Sequence, residues 1–350
     1  MSEPLFPESD SPRRPPPKSG QTVVIRESGR PSATRLWLTR LMFVVLLFSL
    51  LINLVLIGGA GRARLDVNVS EQYLSGDPRA SEKIAVLKAH GTIMPPFTGR
   101  ILKAIKHIKD DDNVKGVILS VDSPGGLVAD SHQIYHRLQE LSQTKPVYVS
   151  MERMAASGGL YIAMGAGKEA KIFAEPTTWT GSIGVIIPRY DVSKLADRWE
   201  IKSEPLKTGP FKDALSPFRE MTQAEHDVWD AIMDDAFGRF VNVIADNRPA
   251  LDGDGVRELA TGQVYTAEQA KDSGLIDEIG FWDDAVEALQ THLGLETVQV
   301  VQFRSQLGLL ELLTGSAQAA ESKNAWQQLM EMSVPRAMYY CSWAPMATGF

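Results

Sequence analysis

Cysteine is almost absent from this chain. The 350 residues include a single cysteine, Cys341, so neither an intrachain disulfide nor a cysteine-based metal cluster can form. Acidic residues outnumber basic ones, and the formal net charge is -7. This balance gives no support to nucleic-acid binding, which usually requires a basic surface. The hydrophobic share of 44% is ordinary for a globular protein. The composition therefore predicts a sizeable core without disulfides and without a nucleic-acid partner.

Charge is missing altogether from residues 41–60, LMFVVLLFSLLINLVLIGGA. Twenty apolar residues in a helix span about 30 Å, the thickness of the bilayer core. Forty residues precede this run, which favours a transmembrane anchor over a cleaved signal peptide. Basic residues are denser before the run than after it, so the positive-inside rule predicts a cytoplasmic N-terminus. We expect everything after residue 60 to lie on the outer, periplasmic or extracellular, side of the cytoplasmic membrane.

The segments on either side of the anchor are polar. Residues 1–40 contain the run SDSPRRPPPKSG and are expected to form a disordered cytoplasmic tail. The basic side chains of this tail could contact anionic membrane lipid, or they could act only as a solvated topology signal. Residues 61–80 are predicted to be a linker.

Apolar runs and amphipathic stretches alternate over residues 81–300, which we predict to be one domain. This pattern predicts an α/β fold with a mostly parallel sheet and flanking helices. The predicted strands are 84–87, 117–121 and 147–149, and the predicted helices are 98–109, 128–142, 222–247 and 281–293. Residues 301–350 form a C-terminal extension whose apolar run LGLLELL is typical of a core helix or of an oligomer contact.

No histidine lies between Ser157 and Lys212, so a serine hydrolase built on these residues would use lysine rather than imidazole as its base. Ser157 stands in the run MAASGG, after a predicted strand and before a small-residue helix. Such a turn should expose the hydroxyl, and the helix N-terminus offers backbone N–H groups to a substrate. The alternative is that Ser157 merely caps the helix.

Lys212 lies in an apolar setting, PFKDALSPF. A lysine ordinarily titrates near 10.4, so a lysine that takes a proton at neutral pH must be desolvated. Asp213 would oppose this effect if its carboxylate faced the amine. Lys207 is a rival base five residues earlier, and either lysine could simply be a surface residue.

Two glycine-rich turns complete the pattern. Ser182, in TGSIGV, could orient the lysine as the third member of a catalytic set, or could be an ordinary turn serine. Gly126, in SPGG, follows a predicted strand and could donate its N–H to a developing oxyanion, or could belong to a plain strand-to-helix turn.

The runs SPGG, MAASGG, TGSIGV, KTGPFKDALSPFREMT and TGQVYTAEQAKDSGLIDEIGFWDDA, taken in this order, resemble the signal peptide peptidase A family of membrane-anchored serine–lysine proteases. The resemblance covers roughly residues 80–295. It implies a fold of the Clp protease and crotonase type, with Ser157 as nucleophile, Lys212 as general base and Ser182 beside the lysine. Gly126, and Gly158 directly after the nucleophile, would form the oxyanion hole.

The resemblance further implies a serine endopeptidase that needs no cofactor and no metal. Its substrates would be signal peptide remnants and other extended apolar peptides. Members with a single copy of the domain form homo-oligomeric rings, in which the serine of one subunit meets the lysine of its neighbour. Two alternatives stay open at this point, a crotonase-type enzyme acting on coenzyme A thioesters and a non-catalytic membrane scaffold.

Overall fold

The computed structural model describes residues 33–60, 69–305 and 337–341. Contacts divide the chain into two units, Met1–Asp66 and Val67–Phe350. The first unit contains helix α1 (Ala33–Ala60), in which the side chains of residues 41–51 are exposed. The helix begins inside the predicted disordered tail, because strong helix formers such as Leu and Arg already precede residue 41. None of the described helices combines the length and mean hydropathy that a bilayer crossing requires.

The second unit is built from strands and helices that alternate along the chain. Its strands are β1 (Val69–Gly76), β2 (Lys83–His90), β3 (Val114–Ser123), β4 (Gly125–Leu127), β5 (Val147–Ala156), β6 (Ile172–Ala174), β7 (Trp179–Gly181), β8 (Val264–Thr266), β9 (Glu278–Ile279), β10 (Gln299–Ser305) and β11 (Met338–Tyr340). Its helices are α2 (Phe97–Asp110), α3 (Val128–Ser142), α4 (Gly158–Ala163), α5 (Ser193–Arg198), α6 (Gln223–Asn247), α7 (Gly253–Leu259), α8 (Ala267–Asp272) and α9 (Trp282–Leu293). A short 3-10 helix, Met164–Ala166, follows α4.

The main sheet places its strands in the order β1-β10-β2-β3-β5-β6-β9. All neighbours from β10 to β9 run parallel, whereas β1 pairs with β10 antiparallel. The first part of β5 pairs with β6, and its last part pairs in parallel with β7. Strand β7 in turn pairs antiparallel with β8. A separate two-stranded sheet joins β4 and β11. The predicted mostly parallel α/β architecture is confirmed.

Side chains of the central strands alternate between two buried layers, as the period of a strand requires. On β2, Ala85 and Leu87 face the larger layer, which α2, α3, α4 and α6 cover. Ile84 and Val86 face the opposite layer, against α9. Burial of both faces explains why the central strands read as nearly continuous apolar runs.

The sheet extends beyond residues 81–300 on both sides. Strand β1 lies within the predicted linker and pairs with β10, which runs on to Ser305. The apolar run at 307–313 lies outside the described residues. Within the C-terminal extension, the structure describes residues 301–305 and 337–341.

The parallel arrangement fixes where a site can form. Strands β3, β5 and β7 are neighbours that all point the same way, so their carboxyl ends meet at one edge of the sheet. Open parallel sheets bind their ligands beyond that edge. The glycine-rich turns predicted from the sequence follow these three strands.

Candidate active site

Ser157 stands at a strained turn between β5 and α4. Its φ of 54° and ψ of -114° lie outside the regions that non-glycine residues normally adopt. The turn is held on both sides, because the Ser157 N–H donates to the carbonyl oxygen of Gly181 at 2.7 Å and Tyr161 N–H donates to the carbonyl oxygen of Ser157 at 2.9 Å. Backbone strain of this kind costs about 1–3 kcal/mol and is concentrated at functional sites.

The hydroxyl of Ser157 has no hydrogen-bond partner within the described residues, although its surroundings bury it. The residue is only 1% exposed, which corrects the expectation of an exposed hydroxyl. It occupies the N-cap position of α4 but makes no side-chain cap, so the simple capping role is not what the structure shows. A buried, unpaired polar atom is costly and calls for a functional explanation.

Ser182 lies beside Ser157 across two parallel strands. Ala156 pairs with Gly181 at the ends of β5 and β7, and each serine is the next residue. Ser182 also has a positive φ, 50°, and is 7% exposed. Its N–H donates to the carbonyl oxygen of Gln263 at 2.6 Å. The two predicted serines are therefore brought together at one edge of the sheet.

The glycines of the SPGG turn pack against the start of α4. An added Cβ on Gly158 would lie 3.1 Å from the amide nitrogen of Gly126, and one on Gly126 would lie 2.0 Å from the carbonyl oxygen of Ile93. Gly125 has a φ of +99°, which only glycine adopts without strain. Both predicted oxyanion donors thus border the space next to Ser157.

Ser131 is a member of this region that the sequence analysis missed. It lies in the first turn of α3, is fully buried, and its hydroxyl has no partner among the described residues. A Cβ added to Gly158 would lie 2.7 Å from the Ser131 Oγ. A serine in a helix gives no signal in the sequence, so only the packing reveals it.

Lys212 lies on the loop between α5 and α6 and is exposed, which departs from the burial expected of a lysine base. Its backbone N–H donates to the carbonyl oxygen of Gly209 at 3.3 Å. Within one chain the structure does not bring its amine to the hydroxyl of Ser157, because that hydroxyl has no partner in the described part of the chain.

The neighbouring charges distinguish the two lysines. The Asp213 carboxylate accepts from Lys207 Nζ at 2.6 Å and from Arg219 Nη2 at 2.9 Å. The hydrogen bond from Arg219, and to a smaller extent that from Lys207, holds the pKa of Asp213 well below its usual range. The Lys207 amine is therefore engaged in an ion pair with Asp213.

A second polar cluster lies on β2, β3 and β5. His90, Asp122 and Glu152 place one potential metal-ligating atom each within 4.8 Å of one another. His90 Nε2 lies 3.2 Å from Glu152 Oε1, and Arg153 Nε donates to Asp122 at 2.7 Å. Hydrogen bonding from His90 lowers the pKa of Glu152 to about 2. The Arg153–Asp122 ion pair and the His90–Glu152 contact therefore give the side chains of this cluster partners within the protein.

Two family models match this chain. The model described as Peptidase family S49 matches residues 139–296, and the model described as Clp protease matches residues 83–180. Ser157 lies within both matches. Gly126 lies only in the Clp protease match, and Lys212 only in the peptidase S49 match.

Similar proteins carry protease names. A protein of Synechocystis sp. named as a protease is 36% identical over 236 residues, covering 67% of this chain and 83% of its own length. A signal peptide peptidase SppA of Enterococcus faecium is 37% identical over 205 residues, covering 58% of each chain. The chloroplastic serine protease SPPA of Arabidopsis thaliana is 31% identical over 211 residues, covering 57% of this chain and 31% of its own length.

The Gly126 turn gives a direct test of the site. In Gly126→Ala the added methyl group would collide with the Ile93 carbonyl, so the backbone of the turn that carries the Gly126 N–H must shift. We expect a loss of about 1–3 kcal/mol in the free energy of unfolding and a fall in peptide hydrolysis of about 100-fold or more. Thermal melts and peptide assays measure both effects.

Gly184→Ala is the matched control, because a methyl group there would meet no atom closer than 3.8 Å. If Gly126→Ala retained the activity and stability of Gly184→Ala, the SPGG turn would have no part in the site.

Proposed function

Because the chain is a serine protease that belongs to peptidase family S49, we propose that it is an endopeptidase with Ser157 as nucleophile and Lys212 as general base. The observation that carries this proposal is the turn at Ser157. There a strained backbone presents a buried hydroxyl that has no partner among the described residues. Such an arrangement costs stability and is explained when the hydroxyl reacts with a substrate. A crotonase-type thioester enzyme and a non-catalytic scaffold do not agree with family membership.

The proposed reaction follows from the positions around this turn. The Ser157 Oγ attacks the carbonyl carbon of the scissile bond while the neutral lysine takes its proton. The N–H groups of Gly126 and Gly158 stabilise the oxyanion that develops. The lysine then returns the proton to the leaving amine, and water hydrolyses the ester on Ser157. Ser182 lies beside Ser157, where the paired strands β5 and β7 end, and orients the lysine.

Lys212 is the better of the two candidate bases. Lys207 donates to Asp213 at 2.6 Å, whereas no acidic partner of the Lys212 amine is recorded among the described residues. What Lys212 lacks in the single chain is burial, and a neighbouring subunit would supply it.

The surface around Lys212 supports contact with a second copy of the chain. Large apolar side chains are exposed on both sides of it along the segment from residue 190 to residue 218. They are Tyr190, Leu195, Trp199, Ile201, Leu206, Phe211 and Phe218. Exposed apolar patches of this kind mark interaction sites. We therefore place Lys212 of one subunit at Ser157 of its neighbour in a head-to-tail ring, the type of contact that closes by rotation.

The proposal includes a single-pass anchor at residues 41–60 in the cytoplasmic membrane, with the peptidase unit on its outer side. The uncharged sequence of this stretch and the exposed apolar side chains of residues 41–51 in α1 support it, while the described part of α1 alone does not reach the length and hydropathy of a crossing helix. An enzyme held at this surface would meet signal peptide remnants and other extended apolar peptides. We propose these as its substrates.

Lys212→Ala should reduce peptide cleavage as severely as Ser157→Ala, by about 1,000-fold or more. The two residues act as one catalytic unit, so removing either one removes most of the rate enhancement. Lys207→Ala is the matched control and should keep most of the activity, since Lys207 contacts Asp213 rather than the site. Steady-state cleavage of a fluorogenic peptide provides the measurement. An inactive Lys207→Ala with an active Lys212→Ala would reassign the base.

The shared site predicts complementation between two inactive variants. When Ser157→Ala and Lys212→Ala are co-expressed with different affinity tags, mixed rings should regain about a quarter of the wild-type sites. Each restored site combines the intact serine of one variant with the intact lysine of the other. Doubly purified mixed rings that stay as inactive as either parent would place both residues in one subunit.

The anchor predicts how the full chain fractionates. Leu47→Arg combined with Leu51→Arg should shift the protein out of the membrane fraction, since each arginine costs about 2.5–3.5 kcal/mol at the centre of a bilayer. Leu206→Arg, on the exposed surface of the other unit, is the control and should leave fractionation unchanged. Retention of the double variant in alkali-washed membranes would contradict the anchor.

A further inference from the structure

Ser131, in the first turn of α3, carries a buried polar group that the proposed reaction leaves unused. The residue is 0% exposed, and its hydroxyl has no hydrogen-bond partner among the described residues. A serine inside a helix can bond to the carbonyl oxygen one turn earlier. Ser131 makes no such bond, although Leu127 and Val128 lie one turn back in α3. Its unpaired hydroxyl therefore needs an explanation outside the helix.

Other hydroxyl groups around the start of α3 are paired. The Ser123 Oγ accepts from the Gly125 N–H at 3.1 Å, and the Thr98 hydroxyl donates to Asp130 at 2.6 Å. The packing of this region thus provides partners for polar side chains. The Ser131 hydroxyl remains unpaired there, as the hydroxyl of the proposed nucleophile does.

The Ser131 hydroxyl lies against the backbone of α4, directly after the nucleophile. A Cβ built on Gly158 would lie 2.7 Å from the Ser131 Oγ and 3.1 Å from the Gly126 amide nitrogen. The two polar atoms therefore surround one point beside the Gly158 Cα. Two atoms this close to a common point can donate to a single acceptor atom. The hydroxyl thus borders the space between the two proposed oxyanion donors.

The absence of a side chain at Gly158 allows this approach. A carbon atom at 2.7 Å would be too close to the Ser131 Oγ, so any side chain at Gly158 would force the hydroxyl to turn away. The glycine after the nucleophile and the buried serine of α3 are therefore complementary. Together they place a hydroxyl, rather than an apolar group, beside the site.

We propose that the Ser131 hydroxyl is a third hydrogen-bond donor to the oxyanion that forms during peptide hydrolysis. The inference rests on the proposed function, because the oxyanion arises when Ser157 attacks the scissile carbonyl. A hydroxyl that is unpaired in the free enzyme and paired in the transition state stabilises the transition state selectively, which raises kcat. No internal hydrogen bond has to break when the charge develops, so the donor is preorganised.

Ser131→Ala removes this donor. It should lower kcat about 10- to 100-fold and leave KM within about twofold, because the lost bond forms only in the transition state. The substrate is the apolar fluorogenic peptide acetyl-Ala-Ala-Leu-aminomethylcoumarin. The matching aldehyde, acetyl-Ala-Ala-Leu-al, adds to the Ser157 Oγ and places its oxygen at the same donors. Its inhibition constant should rise by about the factor by which kcat falls.

Ser150→Ala is the matched control. Ser150 is also 0% exposed with an unpaired hydroxyl, but it lies on β5 two residues after Tyr148 and so faces the layer against α9. Both substitutions remove a buried hydroxyl that has no partner, so neither should lower the melting temperature. Only Ser131→Ala should lower kcat. Thermal melts followed by circular dichroism measure the stability of both variants.

A second variant covers the case in which Ser131→Ala fails to fold. Ser131→Cys keeps a side chain of similar shape but offers only a weak S–H donor, so it should show the same loss of kcat and of aldehyde affinity. Because the Lys212 base is untouched, the pH dependence of kcat should keep its wild-type shape in either variant.

The outcomes separate this inference from the proposed function. If wild type cleaves the peptide, Ser157→Ala does not, and folded Ser131→Ala keeps the kcat and aldehyde affinity of Ser150→Ala, the oxyanion role of Ser131 is wrong and the nucleophile stands. A lower melting temperature with unchanged kcat would likewise assign Ser131 to structure alone. If wild type cleaves the peptide no faster than Ser157→Ala, the proposed function fails, and the inference fails with it.

Discussion

The conformation of Ser157 is the constraint on which the rest of the site depends. Strand β5 ends there with a φ of 54°, and the hydrogen bond from its N–H to Gly181 joins the turn to the neighbouring β7. A non-glycine residue adopts such a backbone only when its surroundings enforce it. The parallel sheet supplies that enforcement, because β3, β5 and β7 end at one edge and deliver the SPGG turn, Ser157 and Ser182 together.

Under the proposed mechanism, one chain alone would give an incomplete site. The Ser157 hydroxyl is buried without a partner among the described residues, while Lys212 is exposed on a loop whose apolar side chains face solvent. Both features are unfavourable in isolation, since the first leaves a polar atom unsatisfied and the second leaves apolar surface in water. An assembly that brings the two together would relieve both.

Much of this architecture is predictable from the sequence, because it depends on local patterns. Helix α3 follows the predicted limits 128–142, and α6 and α9 begin one residue inside theirs. The glycine-rich turns follow buried strands, so their convergence is predictable from the parallel sheet alone. Strand β1 is not predictable in this way, because it depends on pairing with β10, more than two hundred residues later in the chain.

The burial of Ser157 was missed for the same reason. Strand β11, at the far end of the chain, pairs with β4 next to the serine, and no local pattern indicates that pairing. Likewise, the surroundings of Lys212 in one chain do not bury it, so its predicted role depends on contacts that the sequence does not encode locally.

The central claim is that Ser157 and Lys212 form one catalytic unit across a subunit boundary. An experimental structure of the assembled full-length protein measures this directly, as the distance between Ser157 Oγ and the nearest lysine Nζ. We expect Lys212 of a neighbouring copy at hydrogen-bonding distance, about 2.6–3.2 Å. An assembly in which Lys212 stays in solvent, or in which another base contacts Ser157, would contradict the account.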